Sequence, residues 1–104
     1  MARQHGEAIM RMTCATARGN RLDYPVETVQ DQLKHFVIWT TTPDRPFGPH
    51  KHDGAEFWYI LDGEATVHLD GDEYSVGPGD LVYLAPYSYH GLSSTSRCRW
   101  ICLG

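Results

Sequence analysis

The stretch GPHKHDGAEFWYILDG, residues 48–63, decides how this sequence is interpreted. It holds two histidines one residue apart, His50 and His52, then Glu56, and then an aromatic and aliphatic run that predicts a β-strand. Ionisable side chains are costly to bury in a sheet unless they are paired, and a shared cation is a common partner. The stretch therefore predicts a metal site, provided that the rest of the chain supplies a further ligand.

Composition limits the class of protein. The chain has 104 residues, of which 41% are hydrophobic and 21% charged, and no apolar run is long enough to cross a bilayer. One domain over residues 1–104 is expected. The formal net charge is -4 and the nine Lys and Arg residues are scattered, which argues against nucleic acid as a partner. The start, MARQHGEAIMRMTC, lacks the apolar core of a secretion signal, so we expect a cytoplasmic protein that does not bind membranes.

The cysteines do not indicate a disulfide framework. There are three, Cys14, Cys98 and Cys102, without CxxC spacing. Cys98 and Cys102 are an even number of residues apart on a predicted strand and so share one face. Reduced thiols buried in the core are the expected state, because free cysteine behaves as a small hydrophobic residue.

The strand pattern predicts an all-β fold. Short β-rich runs separated by Gly, Asp and Pro turns are FVIWTTT (36–42), ATVHL (65–69), EYSV (73–76), DLVYLA (80–85), HGLSS (90–94) and CRWICL (98–103). Asp70-Gly71 predicts a hairpin turn, and alternation along ATVHL places His68 on the outside. A short helical turn is expected at Val29–Lys34. Six or seven strands with so little helix are typical of a small sandwich or barrel.

The ligand candidates are expected to converge. Side chains two apart on a strand point the same way, so His50 and His52 project together. The segment 53–55 is expected to turn the chain so that the next strand runs back beside the first and Glu56 faces the histidines. His90 follows GPGDLVYLAPYSYH, where a strand breaks at Ala85-Pro86, and it supplies a fourth candidate.

These residues resemble the two motifs of the cupin superfamily. The first motif matches His50-Lys51-His52, then Glu56 and Gly63, and the second runs from Gly79 to His90. The likeness covers roughly residues 36–103. Three positions differ from the family pattern: Asp44 and Tyr87 stand where glycines are expected, and Ala85 stands where a proline is expected. The resemblance implies a cupin-type double-stranded β-helix, or jelly-roll barrel, with a short N-terminal extension.

The resemblance also implies a divalent metal held by His50, His52, Glu56 and His90. Three imidazoles and one carboxylate suit Fe, Mn, Zn, Ni or Cu, and a six-coordinate ion would keep two positions open. Alternation along the strand after Glu56 places Trp58 and Ile60 on its face, and with Tyr83 they are the expected substrate pocket. Tyr87 and Tyr89, near His90, are the candidate catalytic residues, since a phenol can donate a proton.

Two functions remain open from the sequence. The first is a metalloenzyme acting on a small oxygenated or aromatic substrate, for which the resemblance offers dioxygenases (oxidoreductases), isomerases, lyases, decarboxylases and cyclases as precedents. The second is a non-catalytic module that binds a small, sugar-like ligand at the metal. In either case we expect a small-molecule partner and a homodimer formed through outward aromatic residues such as Phe57 and Tyr59.

Overall fold

The computed structural model describes residues 11–12 and 15–104, and their regular structure is almost entirely β. The strands are β1 Thr16–Arg18, β2 Arg21–Tyr24, β3 Phe36–Thr41, β4 Phe47–His50, β5 Glu56–Asp62, β6 Ala65–Leu69, β7 Asp72–Val76, β8 Leu81–Leu84, β9 His90–Ser93 and β10 Cys98–Leu103. One 3-10 turn, Val26–Thr28, follows β2. The all-β prediction is confirmed.

Two antiparallel sheets form the barrel. The larger has the strand order β1-β2-β3-β10-β5-β8, and the smaller has the order β4-β9-β6-β7. This arrangement is the jelly-roll sandwich expected from the sequence. Among residues 11–12 and 15–104, no helix has the length and apolar character that crossing a membrane requires.

The core lies between the two sheets and is built by strand alternation. In β5 the even-numbered residues from Glu56 to Ile60 point inward and the odd-numbered ones outward. The largest buried apolar side chains are Trp58, Trp100, Ile60, Leu84, Leu92 and Val67. The rings of Trp58 and Trp100 lie 4.7 Å apart and link the middle strands of the larger sheet. Cys98 and Cys102 are free and buried on this inner face, as predicted, whereas Cys14 lies outside the described residues.

The turn predictions near the centre of the chain are confirmed. Asp70 and Gly71 both have positive φ, 51° and 90°, which is the conformation of a tight hairpin between β6 and β7. His68 lies opposite Glu73 on the outer side of that hairpin, as the alternation predicted.

Three expectations about the first half of the chain are wrong. Residues 29–34 contain no helix, because the 3-10 turn lies earlier, at Val26–Thr28. The chain before β3 forms the hairpin β1–β2, and residues 47–62 form two strands, β4 and β5, so the described residues hold ten strands rather than six or seven. Finally, β5 does not run back beside β4: β4 pairs with β9 in the smaller sheet, and β5 pairs with β8 and β10 in the larger one.

Candidate metal centre

Three histidines meet between the sheets at one end of the barrel. His50, the last residue of β4, lies directly opposite His90, the first residue of β9, in the strand register. Their rings are 4.8 Å apart, and the ring of His52 lies 4.9 Å from that of His90. One ring nitrogen from each histidine lies within 4.8 Å of the others, which is close enough for all three to contact one ion. Cross-strand pairing thus brings together residues forty positions apart.

Glu56 joins this group from the other sheet. Its Oε2 lies 3.2 Å from Nε2 of His52, and its Oε1 lies 3.9 Å from Nε2 of His90. The side chain is buried because Glu56 opens β5 on the inward face. The structure therefore places Glu56 beside His52 and His90, across the barrel and not from a neighbouring strand. Among the described residues, the ligand atoms that lie within 4.8 Å of one another here are those of the three histidines, and Glu56 belongs to a second such set.

The neighbours of His90 decide which of its ring nitrogens faces the cluster. Ser88 Oγ donates its proton to the carbonyl of Ala85 (2.7 Å), so it can only accept from Nδ1 of His90, 3.4 Å away. This assigns the proton to Nδ1 and leaves a lone pair on Nε2, and such a contact to the far nitrogen is how ligating histidines are oriented. The backbone N–H of Tyr87 donates to the carbonyl of His52 (2.7 Å), which ties the His52 segment to the loop before His90.

The donor atoms of this cluster fit a cation. Nε2 of His52 and Nε2 of His90 are fully buried and make no hydrogen bond in the described part of the chain. Glu56 is their nearest acidic neighbour, but its Oε2, 3.2 Å from Nε2 of His52, lacks the alignment of a hydrogen bond, and its Oε1 is 3.9 Å from Nε2 of His90. A buried polar atom without a partner is costly, and nitrogen lone pairs gathered beside a carboxylate would be satisfied together by one divalent ion. The cluster thus suggests metal binding.

Burial favours the neutral form of two of the imidazoles, His50 and His90. Burial lowers the pKa of His50 and of His90, and the neighbouring histidine charges lower it further, while Glu56 opposes the shift. Neutral imidazole is the form that ligates metals.

Glu56 is held ionised by hydrogen bonds. Burial by itself would raise its pKa, but contacts from His35, Trp58 and Cys102 and the charge of His52 outweigh burial and lower the pKa to about 2. Trp58 Nε1 donates to Oε1 (3.0 Å), and His35 Nε2 lies 3.2 Å from Oε2. Each carboxylate oxygen is therefore fixed by a separate neighbour, as is usual around metal ligands.

Motif comparison missed three residues near the cluster: Arg21, His35 and Cys102. His35 precedes β3 and is anchored by reciprocal backbone hydrogen bonds with Gly104. Its Nε2 lies 3.4 Å from Sγ of Cys102, and His35, Glu56 and Cys102 form a second set of possible ligand atoms within 4.8 Å of one another. Burial raises the pKa of the Cys102 thiol, and the charge of Glu56 raises it further, so this sulfur stays protonated.

Arg21 reaches the same cavity from β2. A cavity of about 330 Å³ is lined by His50, His52 and Glu56 of the cluster, by Arg21 and by the rings of Trp39 and Phe47. Asp23 holds the guanidinium through Nε and one terminal nitrogen, both at 2.7 Å, and the group lies 5.1 Å from the centre of the Trp39 ring. No motif marks this arginine, because the hairpin that carries it has few apolar residues and no pattern.

The predicted pocket residues are placed as follows. Trp58 and Ile60 are fully buried; Trp58 contacts Glu56 and stands edge-on to His90, whereas Ile60 belongs to the core. Tyr83 lies on the outer face of the larger sheet, against Phe57, with ring centres 5.2 Å apart. Side chains alternate along β8, and the residues on either side of Tyr83 point inward, so Tyr83 points outward. The structure therefore does not bring Tyr83 to the cluster.

The two candidate catalytic tyrosines are both exposed. Tyr87 is 69% exposed and has a φ of 67°, and Tyr89 is 51% exposed. Tyr89 borders a groove on the outer side of the smaller sheet. Neither side chain lines the cavity beside the histidines.

The chain is a small jelly-roll β-barrel whose inward His/Glu cluster suggests metal binding. The cupin domain family matches residues 37–104, which is more than half of the chain, and the chain belongs to this family.

Curated relatives match over part of their length. The oxalate-binding protein of Thermotoga maritima is 28% identical over 72 residues, which are 68% of this chain and 60% of that protein. An uncharacterized HTH-type transcriptional regulator of Bacillus subtilis is 24% identical over 75 residues, which are 72% of this chain and 31% of the regulator. The chain therefore spans less than two thirds of either relative.

Solved structures share the fold. A predicted oxalate decarboxylase from Thermotoga maritima superposes with a TM-score of 0.71 at 22% identity, covering 83% of this chain and 80% of that one. A cupin 2 domain-containing protein from Halorhodospira halophila gives a TM-score of 0.71 at 19% identity, covering 89% of this chain and 67% of that one. At such identities the likeness concerns the fold alone.

Proposed function

We propose that this protein holds a divalent transition metal through His50, His52, Glu56 and His90 and acts on a small oxygenated molecule as a cupin-type metalloenzyme. The observation that carries the proposal is the pair of buried Nε2 atoms, on His52 and His90, that have no hydrogen-bond partner among the described residues and lie beside an ionised carboxylate. Mn, Fe, Ni, Zn and Cu all suit this donor set.

The protein's own residues prepare the site. His35 and Trp58 each fix one oxygen of Glu56, and Ser88 orients His90, so the ligand atoms are held in place before a metal arrives. A divalent ion bound there would polarise a carbonyl or carboxylate oxygen and acidify a hydroxyl group. Trp39 and Phe47 give the cavity beside these ligands an aromatic wall.

The position of Arg21 favours a substrate that carries a carboxylate. Asp23 occupies Nε and one terminal nitrogen of the guanidinium, and the other terminal nitrogen, Nη1, has no partner in the described ranges. Arginine is always charged and suits carboxylate recognition. The curated name of the Thermotoga maritima relative, an oxalate-binding protein, agrees with this substrate class.

Metal binding is tested by elemental analysis of protein purified without added metal, followed by titration of the metal-free protein with Mn²⁺ or Zn²⁺ in a calorimeter. We expect one ion per chain in the wild type and a loss of that binding in Glu56→Gln and His90→Gln. The matched controls are Glu73→Gln and His68→Gln, which change the same residue types on the outer face. Undiminished binding in both cluster variants would refute the site.

The substrate class is tested with oxalate as the probe. Calorimetry of the metal-loaded protein should give saturable binding that weakens in Arg21→Ala more than in Arg18→Ala, an exposed arginine of the same hairpin. Equal effects of the two substitutions would remove Arg21 from substrate recognition while leaving the metal site intact. Oxygen consumption during turnover would identify a dioxygenase, and turnover without it would favour an isomerase, lyase or cyclase.

Catalytic roles for Tyr87 and Tyr89, and pocket roles for Trp58, Ile60 and Tyr83, stay predictions. Tyr87→Phe and Tyr89→Phe remove the phenolic hydroxyl with little change in shape. If both variants keep the wild-type turnover rate, proton donation by these tyrosines is excluded.

The second candidate is a metal-anchored binding protein without catalysis. The match to a transcriptional regulator and the name of the oxalate-binding relative favour it. In that case a small carboxylate or sugar-like ligand should raise the melting temperature and be recovered unchanged. Product in the same sample would eliminate this candidate.

A homodimer forms part of the proposal. The outer face of the larger sheet exposes Phe57, Tyr59, Leu81 and Tyr83 side by side on β5 and β8, and each is at least 39% exposed in the single chain. Contiguous apolar surface of this kind marks interfaces. Light scattering should give the mass of a dimer for the wild type and of a monomer for Tyr59→Glu.

A further inference from the structure

A serine, a histidine and a glutamate form a chain of contacts on the outer face of the smaller sheet. Oγ of Ser93 lies 2.8 Å from Nε2 of His68, and the other ring nitrogen, Nδ1, lies 3.5 Å from Oε2 of Glu73. The three residues come from the neighbouring strands β9, β6 and β7. Their order, hydroxyl then imidazole then carboxylate, is the order found in enzymes with an activated serine.

The strand register explains how the three side chains meet. His68 lies directly opposite Glu73 on one side and Gly91 on the other. Ser93 is two residues beyond Gly91 on the same outward face, so it is the diagonal neighbour of His68. Because Gly91 has no side chain, the imidazole can lean towards Ser93.

The carboxylate of Glu73 determines which ring nitrogen of His68 carries hydrogen. Glu73, when ionised, can only accept, so the nitrogen that faces it, Nδ1 of His68, carries hydrogen in the favoured tautomer. Nε2 then presents its lone pair to Ser93, whose hydroxyl donates. This is the arrangement in which a histidine can take the proton from a serine as the oxygen attacks a substrate.

A groove lies over these residues and leaves room for a substrate. Its volume is about 410 Å³, within the range of small-molecule sites, and all three side chains border it. Pro49 and Tyr89 supply apolar walls. The groove is on the opposite side of the sheet from the histidine cluster, since His90 points inward and Ser93 outward on the same strand.

We propose that Ser93 is a nucleophile that accepts acyl groups from small esters with an apolar portion, with His68 as its base and Glu73 as the residue that orients His68. In the first step Oγ forms a bond to the ester carbonyl carbon, its proton passes to Nε2 of His68, and the carbon–oxygen bond to the alcohol breaks as that alcohol takes the proton. In the second step water, deprotonated by His68, releases the acid and regenerates Ser93. No oxidant, reductant or metal takes part.

The test uses a fluorophosphonate, which phosphonylates activated serines and releases fluoride. The full chain is incubated with the probe, and peptide mass spectrometry locates the adduct. We expect Ser93 to be labelled, and the labelling rate to fall about 10²-fold or more in His68→Gln, the size of a general-base contribution. Glu73→Gln should slow labelling by a smaller factor.

Matched controls distinguish activation of Ser93 by His68 from the simple exposure of a serine to the probe. Ser75 lies on β7, on the same outward face of the sheet and opposite Thr66. Labelling of Ser75 should therefore stay at background, and Ser75→Ala should leave the labelling of Ser93 unchanged. Ser93→Ala should abolish the adduct and the cleavage of 4-nitrophenyl acetate attributable to it, with an unchanged circular dichroism spectrum. In Glu56→Gln, Ser93 should be labelled at the wild-type rate. The test of Ser93 therefore does not depend on whether the proposed metal site is correct.

Two outcomes would overturn the inference. One is an unlabelled Ser93 in folded wild-type protein under conditions that label a known serine hydrolase completely. The other is labelling of Ser93 at the wild-type rate in His68→Gln, because the hydroxyl would then react without its base.

Discussion

Glu56 carries a negative charge at a position where burial alone would favour the protonated acid. Hydrogen bonds from Trp58 and His35 reverse that preference and lower its pKa to about 2. A carboxylate fixed at both oxygens has little freedom to turn away from the histidines. The position of His35 therefore influences the site without His35 belonging to either motif.

Replacing His35 tests this positioning role. In His35→Gln the contact to Oε2 of Glu56 is lost or lengthened, and we expect the metal affinity to fall about 10–100-fold, as for other residues that orient a metal ligand. Calorimetric titration with Zn²⁺ measures the change, and the circular dichroism spectrum reports the fold. His68→Gln, on the outer face, should bind as the wild type does. An unchanged affinity in His35→Gln would show that Glu56 is held well enough by Trp58 alone.

Tyr87 adopts a backbone conformation that suits glycine. Its φ of 67° lies in the left-handed region, and Tyr87 stands where the cupin pattern has glycine. Because the side chain is largely exposed, Tyr87→Gly should lose few contacts and raise the free energy of unfolding by about 1 kcal/mol through relief of strain. Urea denaturation measures this value. Tyr89→Gly, at an exposed tyrosine outside that region, should lower stability instead; a loss in both variants would contradict the argument.

Sequence patterns predicted correctly those strands and turns that depend on residues close together in the chain. β6 and β10 match their predicted limits, and the hairpin at Asp70-Gly71 is correct, because alternation and turn residues act over a few positions. Strand pairing is not local. The partner of β4 is β9, more than thirty residues later, so local patterns do not show that the strands before and after His52 enter different sheets.

The pairing of β4 with β9 depends on Gly48. A Cβ at this position would lie 2.8 Å from the carbonyl oxygen of His90 and 3.2 Å from Nδ1 of His50, and φ is 69°. Gly48→Ala should therefore displace the His50–His90 pair and weaken Zn²⁺ binding as well as stability. Gly71→Ala is the matched control, since its φ is 90° but nothing lies within 4 Å of the added carbon.

The two glycine variants are compared by urea denaturation and by Zn²⁺ titration. Gly71→Ala should cost about 1–2 kcal/mol of stability from the backbone conformation alone and leave metal affinity unchanged. Gly48→Ala should cost more and should also lower the affinity. Equal losses of stability with intact metal binding in both would mean that the strands around Gly48 can separate without disturbing the histidines.

The site combines residues that sequence motifs identify with residues that no motif identifies. His50, His52, Glu56 and His90 lie in motifs whose spacing marks them, so comparison with the cupin pattern selected them. Arg21 and His35 come from the hairpin and the connection that precede the barrel strands, where no spacing rule applies. Their contribution depends on how the first hairpin folds against β3, which is set by tertiary contacts.

The stability of the whole metal-free barrel should depend on pH in two separate windows. The folded-state pKa values of His50 and His90 lie below the ordinary value of 6.5, so the unfolded chain binds more protons below that pH. Stability from these neutral imidazoles is present above pH 6.5 and is lost as the pH falls towards their folded values. The lowered pKa of Glu56, from 4.5 to about 2, adds a second loss below pH 4.5.

Melting temperatures of chelator-treated protein between pH 7.5 and 3 test these two windows. The wild type should decline gradually from pH 6.5 and more steeply below 4.5. A variant with both His50→Gln and His90→Gln should be nearly flat between pH 6.5 and 4.5, since these two groups no longer gain protons on unfolding. It should still decline below 4.5, because Glu56 remains and so does Asp23, whose pKa is lowered by its hydrogen bond with Arg21. A double variant with the same slope as the wild type in the upper window would mean that other groups set the response, and that these imidazoles are not buried in the neutral form that a metal requires.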